Sequence, residues 1–506
     1  MLLELGTGDL VEPVSGRRWD RAEIDRQVLR RIARLQEQGM APGDRVFLAF
    51  GNRLEFFAEL LAVWRAGGCA VPIDNRLTAF EVENLARAAT PRAAVVDEAT
   101  PPAVAQALCG SGVDVRLTEE TGTREARGHG IRLEADALIL FTSGSTGDPK
   151  GVVHTHRSLR ARWMSLRDHL GVAAFRRTLC MLPTHFGHGL ICNSLFPWLC
   201  GQDLYITPPF RPELVMRLGA LLDDHGITFM SSVPAMWRLA LKLARPPGGN
   251  TLQRVHCGSA PLSAHMWDDI RRWSRTPNVC NAYGITETGS WVAGLARADV
   301  PAQDGLIGEG WGAVVRVLRT SDASRPPDPE AACVPGESGF VWLNTPTLMK
   351  GYFRRDDLTE RAVVDGWFFT GDMGYLDDAG RLVLLGRERD EINKGGMKIF
   401  PSDVDAVVER FEGATDVCTF ALDDPVYGQN VGMAVVLAAP GGEAVRALHA
   451  WMRAHLAEAK MPVRWWLIDD IPRTSRGKVN REAVKAACVD RPHLDLPGIL
   501  GRRAEP

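Results

Sequence analysis

The chain has 506 residues, 45% of them apolar and 24% charged, with a formal net charge of −3. That length exceeds what one core supports, so at least two domains are expected, and the composition is that of a globular protein rather than a disordered one. Basic and acidic residues alternate along the chain, which removes the electrostatic footprint of a nucleic-acid or anionic-membrane binder and leaves a small molecule as the expected partner.

The ten cysteines form no CxxC pair, and the N-terminus MLLELGTGDLVEP lacks the basic flank and long apolar core of a signal peptide. A reduced, cytoplasmic protein with buried thiols is expected. No apolar stretch reaches the length of a membrane span.

Residues 20–38 place Ile24, Val28, Ile32 and Leu35 at helical spacing, and Gly39 follows as a stop. DRVFLAFG (44–51) reads as a buried strand, LEFFAELLAVWRAGG (54–68) as a helix and CAVPID (69–74) as the next strand, which is a parallel α/β unit. The rhythm returns at 93–98, 137–143, 203–207, 227–233 and 254–260. From about 305 the texture changes to short strands and turns at 339–344, 367–372 and 381–386, so a small β-rich subdomain should follow the α/β layers. TSDASRPPDPEAACVPGE (320–337) reads as an exposed loop.

A domain boundary is expected just after Arg387, giving a large domain at 1–388 and a smaller α+β domain at 389–506. In the latter, SDVDAVVERF (402–411) carries Val404, Val407, Val408 and Phe411 on one helical face, with Ser402 placed to cap. Strands at 417–422, 431–438 and 463–468 and a helix near 443–458 complete it.

One segment carries chemistry on its face. ALILFTSGSTGDPKG (137–151) ends a buried strand in hydroxyls, glycines and Lys150. Consecutive N–H groups in such a turn, with hydroxyl donors and a lysine, make an anion site suited to phosphate. It is not the P-loop of nucleoside triphosphatases, which would need a glycine at Pro149 and a hydroxyl residue at Gly151.

With NAYGITETG (281–289), WFFTGDMGYLDDAGRLVLLGR (367–387), INKGGMKI (392–399) and IPRTSRGKVNR (471–481), this segment resembles, in order and spacing, the signature segments of the adenylate-forming superfamily. That superfamily comprises acyl- and aryl-CoA synthetases, peptide-synthetase adenylation domains and luciferases; the resemblance covers essentially the whole chain and is closest in type to AMP-dependent acyl-CoA synthetases. It implies ATP-dependent activation of an organic acid to an acyl-adenylate, with ATP, Mg²⁺ and coenzyme A as cofactors. The acceptor thiol could instead be the phosphopantetheine of an acyl carrier protein.

The resemblance also assigns roles. Thr142, Ser143, Gly144, Ser145, Thr146 and Gly147 would wrap the β- and γ-phosphates, with Lys150 steadying loop or phosphate. Thr286 would face the α-phosphate and Glu287 would hold Mg²⁺. Adenine would lie between Gly258-Ser259-Ala260 and Tyr283-Gly284, with Asn281 on its amine. Asp372 would accept the ribose hydroxyls beside Arg387. Lys478 would be the catalytic lysine, carried on a small domain that turns about a hinge at Arg389 and then lines a thiol tunnel with Gly395 and Gly396. Lys394 accompanies these as a further member of the constellation.

LPTHFGHGLICNSLFPWLCGQDLYI (182–206) resembles the family's acid-lining stretch. By its count His188 stands where amino-acid-activating relatives keep an aspartate, which argues against an α-amino acid; His185 or Phe186 are the alternatives for that position. Val233, Gly258, Ser290 and Trp291 are further pocket candidates. Two other readings stay open: luciferase-like oxidation of the adenylate, and a non-catalytic nucleotide-binding relative.

Overall fold

The computed structural model describes residues 6–122, 124–142, 150–209, 211–296, 298–322, 325–394, 397–474 and 478–495. Helix Arg21–Glu37 starts where the sequence places it, Asp20 capping the Glu23 amide, and buries Ile24, Val28, Ile32 and Leu35. Its neighbour Leu54–Arg65 is buried on nearly every side. Glu59, fully buried on this second helix, is gripped by Arg31 at 2.9 Å, by Arg34 at 2.6 Å and by the Thr118 hydroxyl at 3.0 Å. The two guanidinium groups outweigh the cost of burial and keep the carboxyl below its ordinary range.

Both helices flank a seven-stranded sheet ordered Gly351–Tyr352, Lys150–Thr155, Asp136–Thr142, Cys69–Pro72, Arg45–Leu48, Ala93–Val96 and Asp114–Leu117. Asp136–Thr142 runs parallel to Cys69–Pro72 but antiparallel to Lys150–Thr155, with Thr142 opposite Lys150. The Ser/Thr/Gly segment therefore joins two paired strands at a sheet end.

A second, larger sheet has the edge strand Arg17–Trp19, antiparallel to its neighbour, and then a parallel run: Leu10–Glu12, Asp203–Ile206, Arg177–Cys180, Phe229–Ser232, Arg254–Gly258 and Val279–Ile285. It then turns antiparallel through Ser290–Gly294, Leu306–Gly310, Leu382–Arg387, Trp367–Leu376, Gly339–Asn344 and Val314–Leu318. This is the α/β body followed by the β-rich part that the sequence leads one to expect. The largest apolar core lies among the α/β layers, and smaller ones lie around Val317, Val341 and Leu343 in the β-rich part and around Phe47, Val71 and Ile139 in the seven-stranded sheet.

The third sheet draws its strands from residues 392–495 and has separate cores, one around Val404, Val408, Met433 and Trp465 and one around Phe420, Trp466 and Val484. Compact α+β packing of that kind matches the expectation for the C-terminal part. Polar contacts tie it to the body: Arg238 to Glu409 at 2.5 Å, Arg410 to Asp304, and the Ser402 hydroxyl to the Leu385 carbonyl at 2.5 Å.

Two expectations need correction. Ser402 does not cap the helix Pro401–Glu409, because Phe400 is the cap residue and Pro401 takes the first helical position. Ser402 thus lies inside the first turn, and its hydroxyl reaches across to Leu385 instead. The thiols are not uniformly buried either: Cys109 is exposed and Cys200 and Cys333 are partly so, while all ten are unpaired.

Candidate active site

Open α/β sheets bind ligands beyond the carboxyl ends of their strands. At that edge Arg254–Gly258 runs into Ser259, which holds the left-handed φ of +67°, and Ala260 follows. A side chain on Gly258 would sit 2.4 Å from the Ala282 carbonyl, so only glycine lets the neighbouring strand approach.

On that neighbouring strand, Asn281 donates its amide to the Leu306 carbonyl at 3.0 Å, which leaves its own carbonyl as an acceptor. Tyr283, 8% exposed, donates its hydroxyl to one oxygen of Asp372, and Arg387 Nε holds the other at 2.9 Å. Asp372 and Arg387 are direct partners across antiparallel strands, so backbone register alone brings them together. Burial, then the adjacent carboxylate, lifts the Tyr283 phenol well above its usual range, and Asp372 raises Arg387. Each Asp372 oxygen keeps a lone pair for a hydroxyl donor.

After Gly284 the chain makes the short 3₁₀ turn Thr286–Thr288, and each of its carbonyls is captured. His154 Nε2 takes Thr286 O at 2.7 Å and the Met349 amide takes Glu287 O at 2.7 Å. Thr288 O accepts from Arg162 at 3.2 Å and from the Thr347 hydroxyl at 2.7 Å. Arg162 is fully buried, and burial lowers its guanidinium to about 10. A turn held at every carbonyl presents the Thr286 and Glu287 side chains in fixed positions.

Glu287 accepts the Tyr352 hydroxyl at 2.8 Å, and the Lys150 ammonium stands 5.9 Å from the Tyr352 ring centre. Burial and the neighbouring carboxylate raise the Tyr352 phenol, so it stays a donor. Tyr352 thus links two sequence-selected residues, Lys150 and Glu287, yet was not itself selected. The Thr142 hydroxyl rests at 3.5 Å from the Lys150 carbonyl, at the root of the same loop.

His188 opens a π-helix, His188–Leu195, a rare winding that often marks functional positions. Its ring is 4% exposed and pinned on both nitrogens, Nδ1 to Ser259 Oγ at 2.8 Å and Nε2 to Ser231 Oγ at 2.6 Å. Burial, and then the positive charge of Lys478, push it down to about 3, so the imidazole is neutral. Trp291 and Phe186 meet the ring edge-on at 5.6 and 6.1 Å. Ser290, also left-handed at φ +72°, places its Cβ 3.7 Å from a Cβ built on Gly187. Val233 is buried at the cap of helix Pro234–Leu243. His185 belongs to a different group, with its Nε2 3.5 Å from Asp74.

Lys478 pairs with Thr474, its carbonyl accepting from the Thr474 amide at 2.8 Å and its amide donating to the Thr474 hydroxyl at 3.2 Å. Its positive charge adds to the lowering of His188. Lys394 Nζ donates to Ala459 O at 3.2 Å and lies 5.7 Å from the Tyr427 ring centre. Ser143, Gly144, Ser145, Thr146, Gly147, Gly395, Gly396 and the side chain of Arg389 lie outside the described residues. The partners that sequence reasoning missed are Tyr352, His154, Arg162, Ser231 and His256; the GYF segment at 351–353, directly after the β-rich strands, was the one local signal available.

Residues 7–353 match the family described as AMP-binding enzyme, and residues 403–478 match its C-terminal domain. A feruloyl-CoA synthase of Amycolatopsis sp is 29% identical over 92% of this chain and 93% of that protein. A fatty acid–[acyl-carrier-protein] ligase of Streptomyces coeruleorubidus is 29% identical over 93% of this chain and 92% of its own. Among solved structures, the O-succinylbenzoate coenzyme A synthetase of Bacillus subtilis in complex with ATP and magnesium ion superposes with a TM-score of 0.81 at 24% identity, covering 94% of this chain and 96% of that one. The chain therefore belongs to the AMP-binding enzyme family, within the adenylate-forming superfamily, and has that superfamily's two-part fold.

Proposed function

We propose that this enzyme activates an organic carboxylic acid with ATP and passes the acyl group to a thiol, giving pyrophosphate, AMP and an acyl thioester. In the first step a carboxylate oxygen attacks the α-phosphorus and the bond to pyrophosphate breaks. In the second, a thiolate attacks the acyl carbon and AMP leaves. The observation that carries this reading is the meeting, at one strand edge, of a ribose-type acceptor (Asp372 with Tyr283 and Arg387) and a Thr286-Glu287 turn clamped at its carbonyls.

Each group has a task. Asp372 takes the ribose hydroxyls on its remaining lone pairs, and Asn281 takes the adenine amine while the Tyr283 ring covers the base. Gly258, Ser259, Ala260 and Gly284 shape the other wall of that slot. Thr286 faces the α-phosphate, and Lys478 neutralises the oxygens of the attacked phosphorus as charge grows on them. Residues 142–147 and Lys150 hold the departing pyrophosphate.

Glu287 is an acceptor-only carboxylate steadied by Tyr352, and among the described residues no group of three or more His, Cys, Asp or Glu forms a metal cage. That donor set fits Mg²⁺, which binds through one or two carboxylates and the substrate's phosphates. When bound, Mg²⁺ would offset the negative charge of the leaving pyrophosphate.

Domains at 1–388 and 389–506, a hinge at Arg389 and a thiol path along Gly395-Gly396 complete the proposal. So does a cytoplasmic location; among the described residues no helix is long and apolar enough to cross a membrane. Coenzyme A is the leading acceptor, since two relatives with 29% identity carry CoA-ligase names and a third is a carrier-protein ligase. The neutral His188 and the lack of an acid at that position favour aryl or acyl acids over α-amino acids.

The test is acid-dependent exchange of labelled pyrophosphate into ATP across a panel of carboxylic acids, repeated with CoA and with a phosphopantetheinyl carrier protein. Exchange with some acids, and thioester with CoA, is the expected outcome. ATP binding without exchange for any acid would mark a non-catalytic nucleotide binder, and an oxygen-dependent oxidised product would mark the luciferase-like route.

A further inference from the structure

Beneath His188 lies a second polar layer. Strand partners Ser231 and His256 are directly opposite in a parallel pair, so both side chains rise from the same sheet face as Gly258. Ser231 Oγ is already spent on His188 Nε2, and Ser259 Oγ on His188 Nδ1. His188 therefore has no nitrogen left for a substrate.

His256 is different. Arg254 Nε lies 2.8 Å from His256 Nε2, and a guanidinium can only donate, so Nε2 must be the bare, accepting nitrogen. Burial and the Arg254 charge keep the ring neutral, its pKa well below the usual value. The one ring proton is then on Nδ1, and Nδ1 is fully buried with no hydrogen-bond partner. Trp291, whose ring centre is 4.5 Å from that of His256, also buries its indole N–H without a partner, as does Trp311, which stacks on His256 at 5.6 Å. The His256 ring N–H and the two indole N–H groups packed against it are thus three unpaired buried donors in one aromatic cluster.

Orphaned buried donors are rare because leaving one unmade forfeits its hydration for nothing. The charges felt at His188 and His256 are all cationic, Lys478 and Arg254. An acceptor is what such a place can take, and an ammonium is what it rejects.

We infer that the floor of the acyl pocket, formed by His256 Nδ1–H and Trp291 Nε1–H, recognises an acceptor oxygen at the far end of the acid from its reacting carboxylate. This rests on the acid-activating function proposed above and narrows its substrate class to flat or aromatic acids bearing a distal carbonyl-type oxygen. Trp291 and His256 are then specificity-determining residues rather than core filling.

The experiment compares matched acids in which a distal ketone is replaced by the isosteric alkene C=CH₂, with the group placed at successive distances from the carboxylate, scoring kcat/KM for acid-dependent AMP formation. At one position the ketone should exceed its alkene by about tenfold or more, because a site built to donate is left unpaired by an analogue without the acceptor. Trp291→Phe, which keeps an aromatic ring and removes the N–H, should bring that ratio toward unity, and His256→Leu should do the same. Alkenes equal to or better than ketones at every distance would overturn the inference while leaving the acid-activating function standing. So would a ketone preference unchanged in both variants, the result expected if buried water satisfies these donors. AMP formation with no acid of either kind would overturn the function and this inference with it.

Discussion

Tyr352 and Glu287 are 65 positions apart and meet only because Gly351–Tyr352 pairs with the strand that begins at Lys150. The phenol then orients the carboxylate that would hold Mg²⁺ and covers the lysine at the loop root. Tyr352→Phe should raise the Mg²⁺ concentration needed for half-maximal pyrophosphate exchange by about tenfold or more, the loss of one hydrogen bond to a charged group being worth about 1.5–3 kcal/mol; an unchanged Mg²⁺ titration would detach Tyr352 from the metal. At this scale the family's motifs were readable because each is contiguous, as around Asp372, Thr286 and Lys478. It was unreadable where the role depends on a partner far along the chain. Arg162 reaches Thr347 across 185 positions, and nothing near either residue announces the contact. Buried histidines make a second prediction at this scale. Burial lowers His154 and His156 to about 4 from 6.5, and His188 to about 3. Their folded pKa values lie below the unfolded ones, so the unfolded chain takes up protons first as pH falls. Stability is complete above 6.5 and declines toward about 4, by up to about 1.4 kcal/mol per histidine per pH unit. The urea midpoint should therefore drop between about pH 7.5 and pH 5; a flat profile would mean that these rings are hydrated in solution.

Among elements, the parallel strands announced themselves through apolar runs broken by glycines, and helix Arg21–Glu37 through its spacing and Asp20 cap. Ser402 misled because a Ser three positions before an acid satisfies the capping pattern, yet Pro401 outranks it for the first helical turn. The released hydroxyl instead joins helix Pro401–Glu409 to the end of strand Leu382–Arg387. The same helix carries Glu409 onto Arg238 of helix Pro234–Leu243, and Arg238 lies 3.8 Å from Asp416. Asp416 is in turn gripped by both terminal nitrogens of Arg473, at 2.5 and 2.8 Å. Arg473 bridges to Val479, the residue after Lys478. A continuous ion-pair chain thus runs from the large body to Arg473, the bridge partner of the residue after Lys478, with its central groups mostly shielded from solvent. Arg238→Ala should slow acid-dependent pyrophosphate exchange about tenfold or more, since truncating one partner strands the others. Thioester formation from supplied acyl-adenylate should fall far less. Equal slowing of both steps would show that Arg238 merely supports the fold.

For the molecule as a whole, two packed units are joined by polar pairs between helix Pro401–Glu409 and the large body. In the proposed cycle Lys478 would serve the first half-reaction, and a turn at Arg389 would exchange its surface for the one bearing Gly395 and Gly396. Order and spacing of five short segments sufficed to identify the superfamily. Relative placement of the two units was not legible, because it depends on side-chain pairs such as Arg238 with Glu409 that no local pattern encodes. The acid itself was hidden for the same reason, since the residues proposed to line its pocket come from separate stretches of chain. The most direct test separates the half-reactions in Lys478→Ala. Acid-dependent pyrophosphate exchange should fall by about a thousandfold, the scale on which a transition-state donor acts, while thioester formation from CoA and supplied acyl-adenylate stays within a few-fold of the unmutated enzyme. Comparable loss in both steps would contradict the assignment of Lys478 to adenylation and the division of labour between the two units.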